Sequence, residues 1–278
     1  MQVDALIFVD TNILLDLYRI RKSDVSMAYL ARLEDCKDRI ITGSQVEMEF
    51  KKNRQKVILE SLKNYSTPDW NKLTPPALLS DFQPSKMIEK KKGEIQTQQR
   101  KVNEKIEKIL ANPSANDPVF QRLQRIFKHD SIFNLSREST ERHRIRRLAR
   151  KRFVLGYPPR KDADTSIGDA INWEWVVECA TKTEKDIIIV TRDTDFGAIH
   201  KNSSYLNDWL KNEFQERISK KRKIILTDKL SFALKAIDEV VTQEMEEAEQ
   251  QVQDFYEEYV NTAIQEAEAA TGIRPTTP

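Results

Sequence analysis

The sequence is poor in the residues that build several common classes of site. Its 278 residues include only 6 glycines, 2 cysteines and 3 histidines. Because glycines are few and the patterns GxxxxGK[ST] and GxGxxG are absent, the common glycine-rich nucleotide cradles are not expected. Cys36 and Cys179 form no CxxC pair, so neither a disulfide framework nor a cysteine zinc site is supported. The three histidines are scattered, which argues against a histidine-rich metal site.

Long apolar runs are also missing. No stretch of 18 apolar residues occurs, and the first ten residues, MQVDALIFVD, hold an acid within their apolar stretch and no basic residue. We therefore predict neither a membrane partner nor a signal peptide. The expected location is the reducing cytoplasm.

Charge is distributed unevenly along the chain. The net charge is only +2, but residues 86–161 contain 21 lysines and arginines against 8 acids. Residues 236–273 contain 11 acids and no lysine or arginine. This asymmetry predicts a basic region that contacts an anionic partner and an acidic C-terminal helix.

Four short apolar runs rich in β-branched residues predict strands, over residues 6–9, 39–42, 187–191 and 223–227. Each is almost continuously apolar, which is typical of parallel strands buried on both faces. Helices are predicted around them, over 11–18, 25–33, 46–62 and 169–181. This alternation predicts an α/β fold with a parallel sheet and right-handed crossovers.

The remaining chain is predicted to be largely helical. Residues 64–85 are an irregular, proline-rich connector, and the charged stretches after it favour long exposed helices. The predicted division is a core of 1–63 plus 160–230, a charged helical insert of 64–159, and a C-terminal part of 231–278. In that last part we expect one acidic helix over 230–270 and a short disordered tail.

Acidic residues stand at three predicted strand ends and at one helix start. Asp10, Glu49, Asp193 and Asp195 follow strands, and Asp169 lies in the first turn of the helix before the third strand. Ligand sites in open α/β sheets form outside the carboxyl ends of the strands, so these side chains should converge. Carboxylates that converge repel one another unless a cation lies between them. Oxygen ligands without histidine or cysteine favour Mg²⁺ or Mn²⁺, and one or two such ions can activate water for phosphodiester hydrolysis.

Each acid also has a structural interpretation. Asp10 could cap the helix that follows it, and Glu47 and Asp169 fit capping boxes. Asp193 and Asp195 could form a turn. Four strand-end positions in this order are nevertheless better explained by a shared site than by capping alone.

The segments FVDTN, VEMEF, GDAINW and VTRDTDFG together resemble the acidic pattern of PIN-domain nucleases. The resemblance covers about 1–60 and 160–230. The phrases LLDLYR and QVEMEFKKNR are similar to a bacterial PIN-like subfamily that has a long helical insert and often lies near defence or toxin genes. The resemblance implies a three-layer α/β/α core and a metal-dependent nuclease that usually acts on RNA.

The resemblance also implies roles for single residues. The catalytic and metal-binding acids of the family map onto Asp10, Glu49, Asp169 and Asp193. Asp195 matches an accessory metal ligand, and Asn12 and Thr191 match polar residues that orient the acids. The chain departs from the pattern in two ways: about 100 residues separate the second acid from the third, and Asp162 and Asp164 are rival carboxylates.

Residues 137–152, RESTERHRIRRLARKR, are half lysine and arginine. Such a stripe can neutralise phosphates, and arginine binds them bidentately. The predicted nucleic-acid-binding residues are Arg142, Arg144, Arg146, Arg147, Arg150, Lys151 and Arg152. The alternative is a solvated amphipathic helix. Aromatic residues are sparse in this stretch, so contact with phosphates is favoured over base recognition.

The predicted function is a Mg²⁺- or Mn²⁺-dependent ribonuclease acting on single-stranded RNA, as a toxin or an anti-phage defence effector. The alternatives are a DNA nuclease of the same fold and a non-catalytic module that binds nucleic acid or a protein partner. Besides nucleic acid, the predicted partners are a regulatory protein or a second copy of the chain. Trp173 and Trp175 follow Asp169 on one predicted helix, and we expect at least one to pack in the core.

Overall fold

A computed structural model of the protein describes residues 3–63, 70–160, 166–201 and 203–256. Within these residues a five-stranded parallel sheet has the strand order β3-β2-β1-β4-β7, and two further strands, β5 and β6, form an antiparallel hairpin. The strands are β1 (Ala5–Val9), β2 (Ile40–Gly43), β3 (Asn134–Leu135), β4 (Asp186–Val190), β5 (Gly197–His200), β6 (Ser203–Leu206) and β7 (Ile224–Thr227).

Helices make up most of the remaining described chain. None of those described has both the length and the apolar composition needed to cross a membrane. They are α1 (Thr11–Asp16), α2 (Ser23–Asp35), α3 (Ser44–Lys63), α4 (Gln83–Ala111), α5 (Pro113–Asn116), α6 (Pro118–Phe127), α7 (Arg142–Val154), α8 (Gly168–Lys182), α9 (Asp208–Arg217), α10 (Leu230–Ala236) and α11 (243–256).

The central strands form because their side chains are apolar on both faces. All five residues of β1 are buried, and so are the last four residues of β4. Phe8 pairs with Ile41 of β2, and Val9 pairs with Val190 of β4, all in parallel register. The predicted α/β fold with a parallel sheet is therefore confirmed, and the four predicted strands match β1, β2, β4 and β7 to within one residue at each end.

Part of the predicted insert packs into the same core as the sheet. Asn134 of β3 pairs with Thr42 of β2, which makes β3 an edge strand. Helix α6 buries its apolar face, and the rings of Phe127 and Phe50 are 5.7 Å apart. Helix α4, in contrast, is largely exposed, as expected from its thin apolar stripe. The division of the chain into core, insert and C-terminal part stays a prediction.

The single helix predicted over 230–270 is wrong within the described residues. Helix α10 ends at Ala236, residues 237–242 are not helical, and α11 begins at 243. Asp238 has a φ of 75°, which ends the helical geometry, and the β-branched run after it disfavours helix. Helix α11 then packs onto the core, where the Tyr29 hydroxyl donates to the Met245 carbonyl oxygen at 2.9 Å. Residues 257–270 lie outside the described chain.

Candidate active site

Asp10 and Thr191 lie beside each other at the carboxyl edge of the sheet. The pairing of Val9 with Val190 places the two next residues together, and the Thr191 hydroxyl donates to Asp10 Oδ2 at 2.6 Å. Asn12 Nδ2 donates to the same oxygen at 2.9 Å, and the Thr11 amide donates to Oδ1 at 2.6 Å. Asp10 therefore caps α1 with one oxygen and belongs to a polar network with the other.

Thr191 connects this network to the next predicted acid. Its hydroxyl oxygen accepts from the Asp193 amide at 2.9 Å and from Asn12 Nδ2 at 3.2 Å. The same hydroxyl donates to Asp10, so the Thr191 side chain bridges the Asp10 carboxylate and the backbone amide of Asp193. Asn12 and Thr191 thus contact Asp10 directly.

Glu49 reaches the same edge from α3. Gln45 Nε2 donates to its Oε1 at 2.6 Å, and the Thr11 hydroxyl donates to its Oε2 at 3.2 Å. The start of α8 approaches closely, since a Cβ added to Gly168 would lie 2.4 Å from Glu49 Oε1. Glu47 instead pairs with exposed Lys51 at 2.6 Å. Of the two glutamates, Glu49 is the one that faces the other acids.

Asp169, Asp193 and Asp195 form a compact acidic group. Each offers one carboxylate oxygen, the three oxygens lie within 4.8 Å of one another, and all three residues are half-buried. Oxygen ligands of one Mg²⁺ at about 2.1 Å are at most about 4.2 Å apart, so small side-chain shifts would bring all three onto one ion. The all-oxygen donor set suits a hard divalent cation. Asp162 and Asp164, the rival carboxylates, lie outside the described residues.

Burial is the main electrostatic feature of Asp10, which is 4% exposed. Burial raises the pKa of Asp10 to about 6, and the negative charges of Asp193 and Glu49 act in the same direction. The hydrogen bonds from Thr191 and from the Thr11 amide oppose this rise. The five predicted acids are therefore linked: Asp169, Asp193 and Asp195 form a compact group, and Asp10 interacts with Asp193 of that group and with Glu49.

Several residues of the site were not found from the sequence. Gln45 and Thr11 position Glu49, as described above. Arg192 lies between Thr191 and Asp193, forms an ion pair with Asp16, and donates to the Asn12 carbonyl oxygen at 3.4 Å. The sequence shows Arg192 within the TRDTDF segment, but it does not predict the ion pair, because Asp16 is far from Arg192 along the chain.

The seven basic residues predicted to bind nucleic acid do not share one environment. Arg152 is buried and forms ion pairs with Glu174, at 2.9 Å, and with Glu213. This placement differs from the prediction, because the guanidinium faces the core between α8 and α9. Arg144 pairs with Glu178 at 2.6 Å. The other five make no ion pair with any described residue.

Arg142, Arg146 and Arg150 form a stripe along α7, because residues four apart share one helix face. Arg146 is half-buried, and burial lowers its pKa, with the positive charges of Arg142 and Arg150 acting in the same direction. Arg147 and Lys151 are exposed beside this stripe. Positive charge is thus concentrated along α7, with Arg147, Arg150 and Lys151 exposed and Arg142 and Arg146 half-buried.

Trp173 and Trp175 are both core residues, as expected for at least one of them. They are 0% and 3% exposed. Trp173 Nε1 donates to Glu213 at 3.3 Å, and Trp175 Nε1 donates to the carbonyl oxygens of Thr42 and Phe133, each at 3.0 Å. Neither ring is available to a nucleobase.

Fold and site together define an α/β protein with an acidic centre, at the carboxyl edge of a parallel sheet, that could hold a divalent cation. A PIN-domain family model matches residues 7–196. The match covers more than half of the chain, so the chain belongs to the PIN-domain family, and the predicted family is confirmed. No curated protein and no solved structure matches this chain.

Membership of the PIN-domain family places the protein in a superfamily of nucleases. PIN domains are generally metal-dependent nucleases, and their substrates are nucleic acids. The group of Asp169, Asp193 and Asp195 is consistent with that class, since it could hold a divalent metal.

Proposed function

We propose that this protein is a Mg²⁺- or Mn²⁺-dependent ribonuclease that cleaves single-stranded RNA at the carboxyl edge of its sheet. One observation carries the proposal: three carboxylate oxygens, from Asp169, Asp193 and Asp195, lie within 4.8 Å of one another. This group follows β4 and begins α8, which is where an open parallel sheet presents its ligand sites.

Asp169, Asp193 and Asp195 would hold the cation, and Asp10 and Glu49 would complete the site. A divalent cation bound there supplies Lewis-acid chemistry, activating water and neutralising charge on the phosphate. Three donors, from Thr11, Asn12 and Thr191, hold the Asp10 carboxylate, and two, from Gln45 and Thr11, hold that of Glu49. Both carboxylates are therefore fixed in position before a substrate binds. Thr191 and Asn12 act as positioning residues for Asp10.

The basic side of α7 would contact the RNA backbone. Arg142, Arg146 and Arg150 form one stripe of it, and the exposed Arg147 and Lys151 lie beside that stripe. Arginine matches phosphate geometry, and a stripe at four-residue spacing can contact successive phosphates without recognising sequence. Arg144 and Arg152 are not included in this surface, because their charges are paired with glutamates.

RNA is preferred over DNA in this proposal because the family resemblance favours RNA, while no described contact distinguishes the two sugars. The role as a toxin or defence effector, with a regulatory partner or a second copy of the chain, stays a prediction.

The test is cleavage of end-labelled single-stranded RNA, single-stranded DNA and duplex RNA by the purified protein, with Mn²⁺, with Mg²⁺ and with a chelator. We expect cation-dependent cleavage of single-stranded RNA, abolished by chelation. Asp193→Asn should lower the rate by at least about 100-fold, because loss of even an outer-shell partner of a metal site costs 10–100-fold.

Asp186→Asn is the matched control. Asp186 begins β4 at the opposite edge of the sheet, and asparagine keeps an oxygen that accepts from the Lys223 amide. Its activity should equal that of the unchanged protein. Cleavage that persists in Asp193→Asn would contradict the proposed site, and cleavage of DNA alone would contradict the proposed substrate.

A further inference from the structure

Two exposed aromatic rings meet on the surface although their residues are far apart in the chain. Tyr157 follows α7, and Trp209 lies in the first turn of α9. Their ring centroids are 5.0 Å apart at an interplanar angle of 35°. Tyr157 is 38% exposed and Trp209 is 50% exposed. Among the ring pairs of the described chain, this is the one in which both rings are exposed.

The backbone fixes Tyr157. Gly156 has a φ of 73°, and its amide donates to the Phe153 carbonyl oxygen at 3.2 Å. The Tyr157 amide donates to the Arg152 carbonyl oxygen at 3.1 Å. These two bonds form a Schellman motif, in which glycine takes the left-handed position that ends the helix. The tyrosine therefore leaves α7 at a defined angle.

The backbone also fixes Trp209. Asn207 Oδ1 accepts from the Trp209 amide at 2.9 Å and from the Leu210 amide at 3.4 Å, which caps α9. The Asn207 amide in turn donates to the carbonyl oxygen of Phe196 at 2.9 Å. Phe196 directly follows Asp195 of the acidic group. One short chain of contacts thus links Trp209 to the candidate active site.

Topology places the ring pair at the same edge of the sheet as the acids. Helices α8 and α9 each precede a strand of the parallel sheet, β4 and β7, so both begin at the carboxyl edge. They contact each other through Trp173 and Glu213. Asp169 and Trp209 each lie one turn before that contact, which puts both in the first turns of neighbouring helices.

Cationic side chains lie close to Tyr157 along the chain. Arg160 stacks on Phe153, with its guanidinium carbon 4.7 Å from the ring centroid. The exposed residues Arg150 and Lys151 lie one to two turns before Tyr157. Exposed aromatic rings flanked by cationic side chains are the elements that bind unpaired bases and their phosphates in single-strand-binding proteins.

We propose that Tyr157 and Trp209 form a stacking site for an unpaired base of a single-stranded nucleic acid whose backbone lies along α7. This proposal rests on the proposed function, because the stacking site would bind the substrate of the nuclease centre at the same edge of the sheet. A base inside a duplex is already stacked on both faces, so this site selects unpaired strands.

The test measures binding in the presence of chelator, where no metal-dependent cleavage occurs. The probes are a fluorescent single-stranded oligouridylate, the same strand with abasic sugars, and a duplex of equal length. Trp209→Ala should weaken binding of the oligouridylate by roughly 5- to 150-fold, since stacking of one base is worth about 1–3 kcal/mol. The abasic strand keeps all phosphates, so the variant should bind it as the unchanged protein does.

Two further variants separate stacking from folding. Trp209→Phe should retain most of the affinity but lose the quenching of tryptophan fluorescence that the oligouridylate causes in the unchanged protein. Phe82→Ala is the matched control, because Phe82 is an aromatic residue 60% exposed at the far end of α4. It should leave binding of all three probes unchanged.

Equal affinities of Trp209→Ala and the unchanged protein for the oligouridylate would overturn the proposal in favour of a protein-binding or structural role. An equal loss on the abasic strand would overturn it as well. If the protein binds with this pattern but never cleaves with Mn²⁺, the stacking site stands and the proposed function fails. If it cleaves but Trp209→Ala binds normally, the stacking site alone fails.

Discussion

At the scale of single residues, Asp10 shows how the site acts on stability. Its pKa is raised to about 6, mainly by burial, from an ordinary value of 3.8. The folded state therefore favours the protonated carboxyl group, and ionisation of Asp10 destabilises the fold. Protonated Asp10 therefore contributes to the free energy of unfolding. This contribution is complete below about pH 4 and is lost as the pH rises through about 6.

The first prediction follows from that sign. Between pH 4 and pH 7 without divalent cation, ionisation of Asp10 should lower the free energy of unfolding by about 3 kcal/mol, because one pKa unit corresponds to about 1.4 kcal/mol. Asp10→Asn should remove this part of the pH dependence. Urea denaturation at a series of pH values measures it, with Asp81→Asn, at a fully exposed position, as the control. Parallel curves for Asp10→Asn and the unchanged protein would contradict the assignment.

A second prediction concerns the close approach at Gly168. Gly168→Ala would place a Cβ 2.4 Å from Glu49 Oε1 and 2.8 Å from Gln45 Nε2, so both side chains must leave the positions that they hold in the site. We expect at least about tenfold slower cleavage, the loss typical of a disturbed positioning contact. In Gly93→Ala, the new Cβ meets nothing within 4 Å, and the helix should gain about 0.5–1 kcal/mol with unchanged cleavage. Cleavage rates and thermal melts of both variants test this prediction. Equal cleavage rates for Gly168→Ala and the unchanged protein would count against the role of Glu49.

Single residues also mark the limit of sequence interpretation. Asp10, Asp169 and Asp193 could be found because each stands next to a strand or helix end that the apolar pattern predicts. Arg152 and Arg146 could not be told apart, since both stand in the same basic run. Only the fold brings Glu174 and Glu213 to the buried Arg152 and leaves Arg146 half-buried without an ion pair to any described residue.

At the scale of elements, α7 joins two environments. Its inner face buries Ile145, Ala149 and Arg152. The adjoining side carries the stripe of Arg142, Arg146 and Arg150, of which the first two are half-buried and the last is exposed. The inner residues fix the helix against α8, and the stripe is therefore held at a constant distance from the first turn of α8, where Asp169 lies. A helix fixed in this way can direct a strand toward the acids.

A third prediction tests this stripe. Changing Arg142, Arg146 and Arg150 to glutamine should weaken RNA binding and reduce the slope of log K against log salt by about 2, as three lost phosphate contacts require for a single strand. Changing Lys90, Lys91 and Lys92 of the exposed helix α4 removes the same charge elsewhere and should leave that slope nearly unchanged. Fluorescence anisotropy at several salt concentrations measures both, and equal slopes for the two triple variants would contradict phosphate contact by α7.

A fourth prediction concerns the docking of α11. Glu249 accepts from the Leu230 amide at 2.5 Å, from the Ser231 amide at 3.2 Å and from the Ser231 hydroxyl. Glu249→Ala should lower the free energy of unfolding by about 2–4 kcal/mol, because these donors lose their partner and a buried space opens.

Glu246 on the same helix is the matched comparison. It pairs with Lys235 at 2.6 Å, and both side chains are nearly half exposed. Glu246→Ala should change the free energy of unfolding by less than about 1 kcal/mol, as exposed ion pairs contribute little. Urea denaturation measures the free energy of unfolding of both variants. Equally small losses in Glu249→Ala and Glu246→Ala would show that α11 is not an integral part of the core.

The elements differ in how far the sequence predicts them. Strands β1 and β4 were predictable because burial on both faces leaves a continuous apolar run. The two-residue strand β3 was not, since its pairing with β2 depends on packing between distant segments. The break between α10 and α11 is visible only as a run of β-branched residues, a weaker feature than a proline.

At the scale of the whole molecule, acids and an aromatic residue that are far apart in the sequence lie at one edge of the sheet. The acids follow β1 and β4, begin α8, or lie on α3 after β2. The hairpin β5–β6 follows the acidic group, and Trp209 lies in the first turn of α9. The parallel topology explains this convergence, because the carboxyl ends of the parallel strands, and the starts of the helices that lead back into them, lie on the same side of the sheet. The acids were therefore predictable from topology alone. The pairing of Tyr157 with Trp209 was not, since it depends on the angle at which α7 ends.

The most direct test of the acidic centre is calorimetric titration of the full chain with Mn²⁺ at pH 7.5. We predict that the unchanged protein and Asp186→Asn bind Mn²⁺ equally, and that Asp193→Asn binds at least about tenfold more weakly, because one of three grouped oxygen ligands has lost its charge. Equal Mn²⁺ affinity in all three proteins, or no binding to the unchanged protein, would contradict the account.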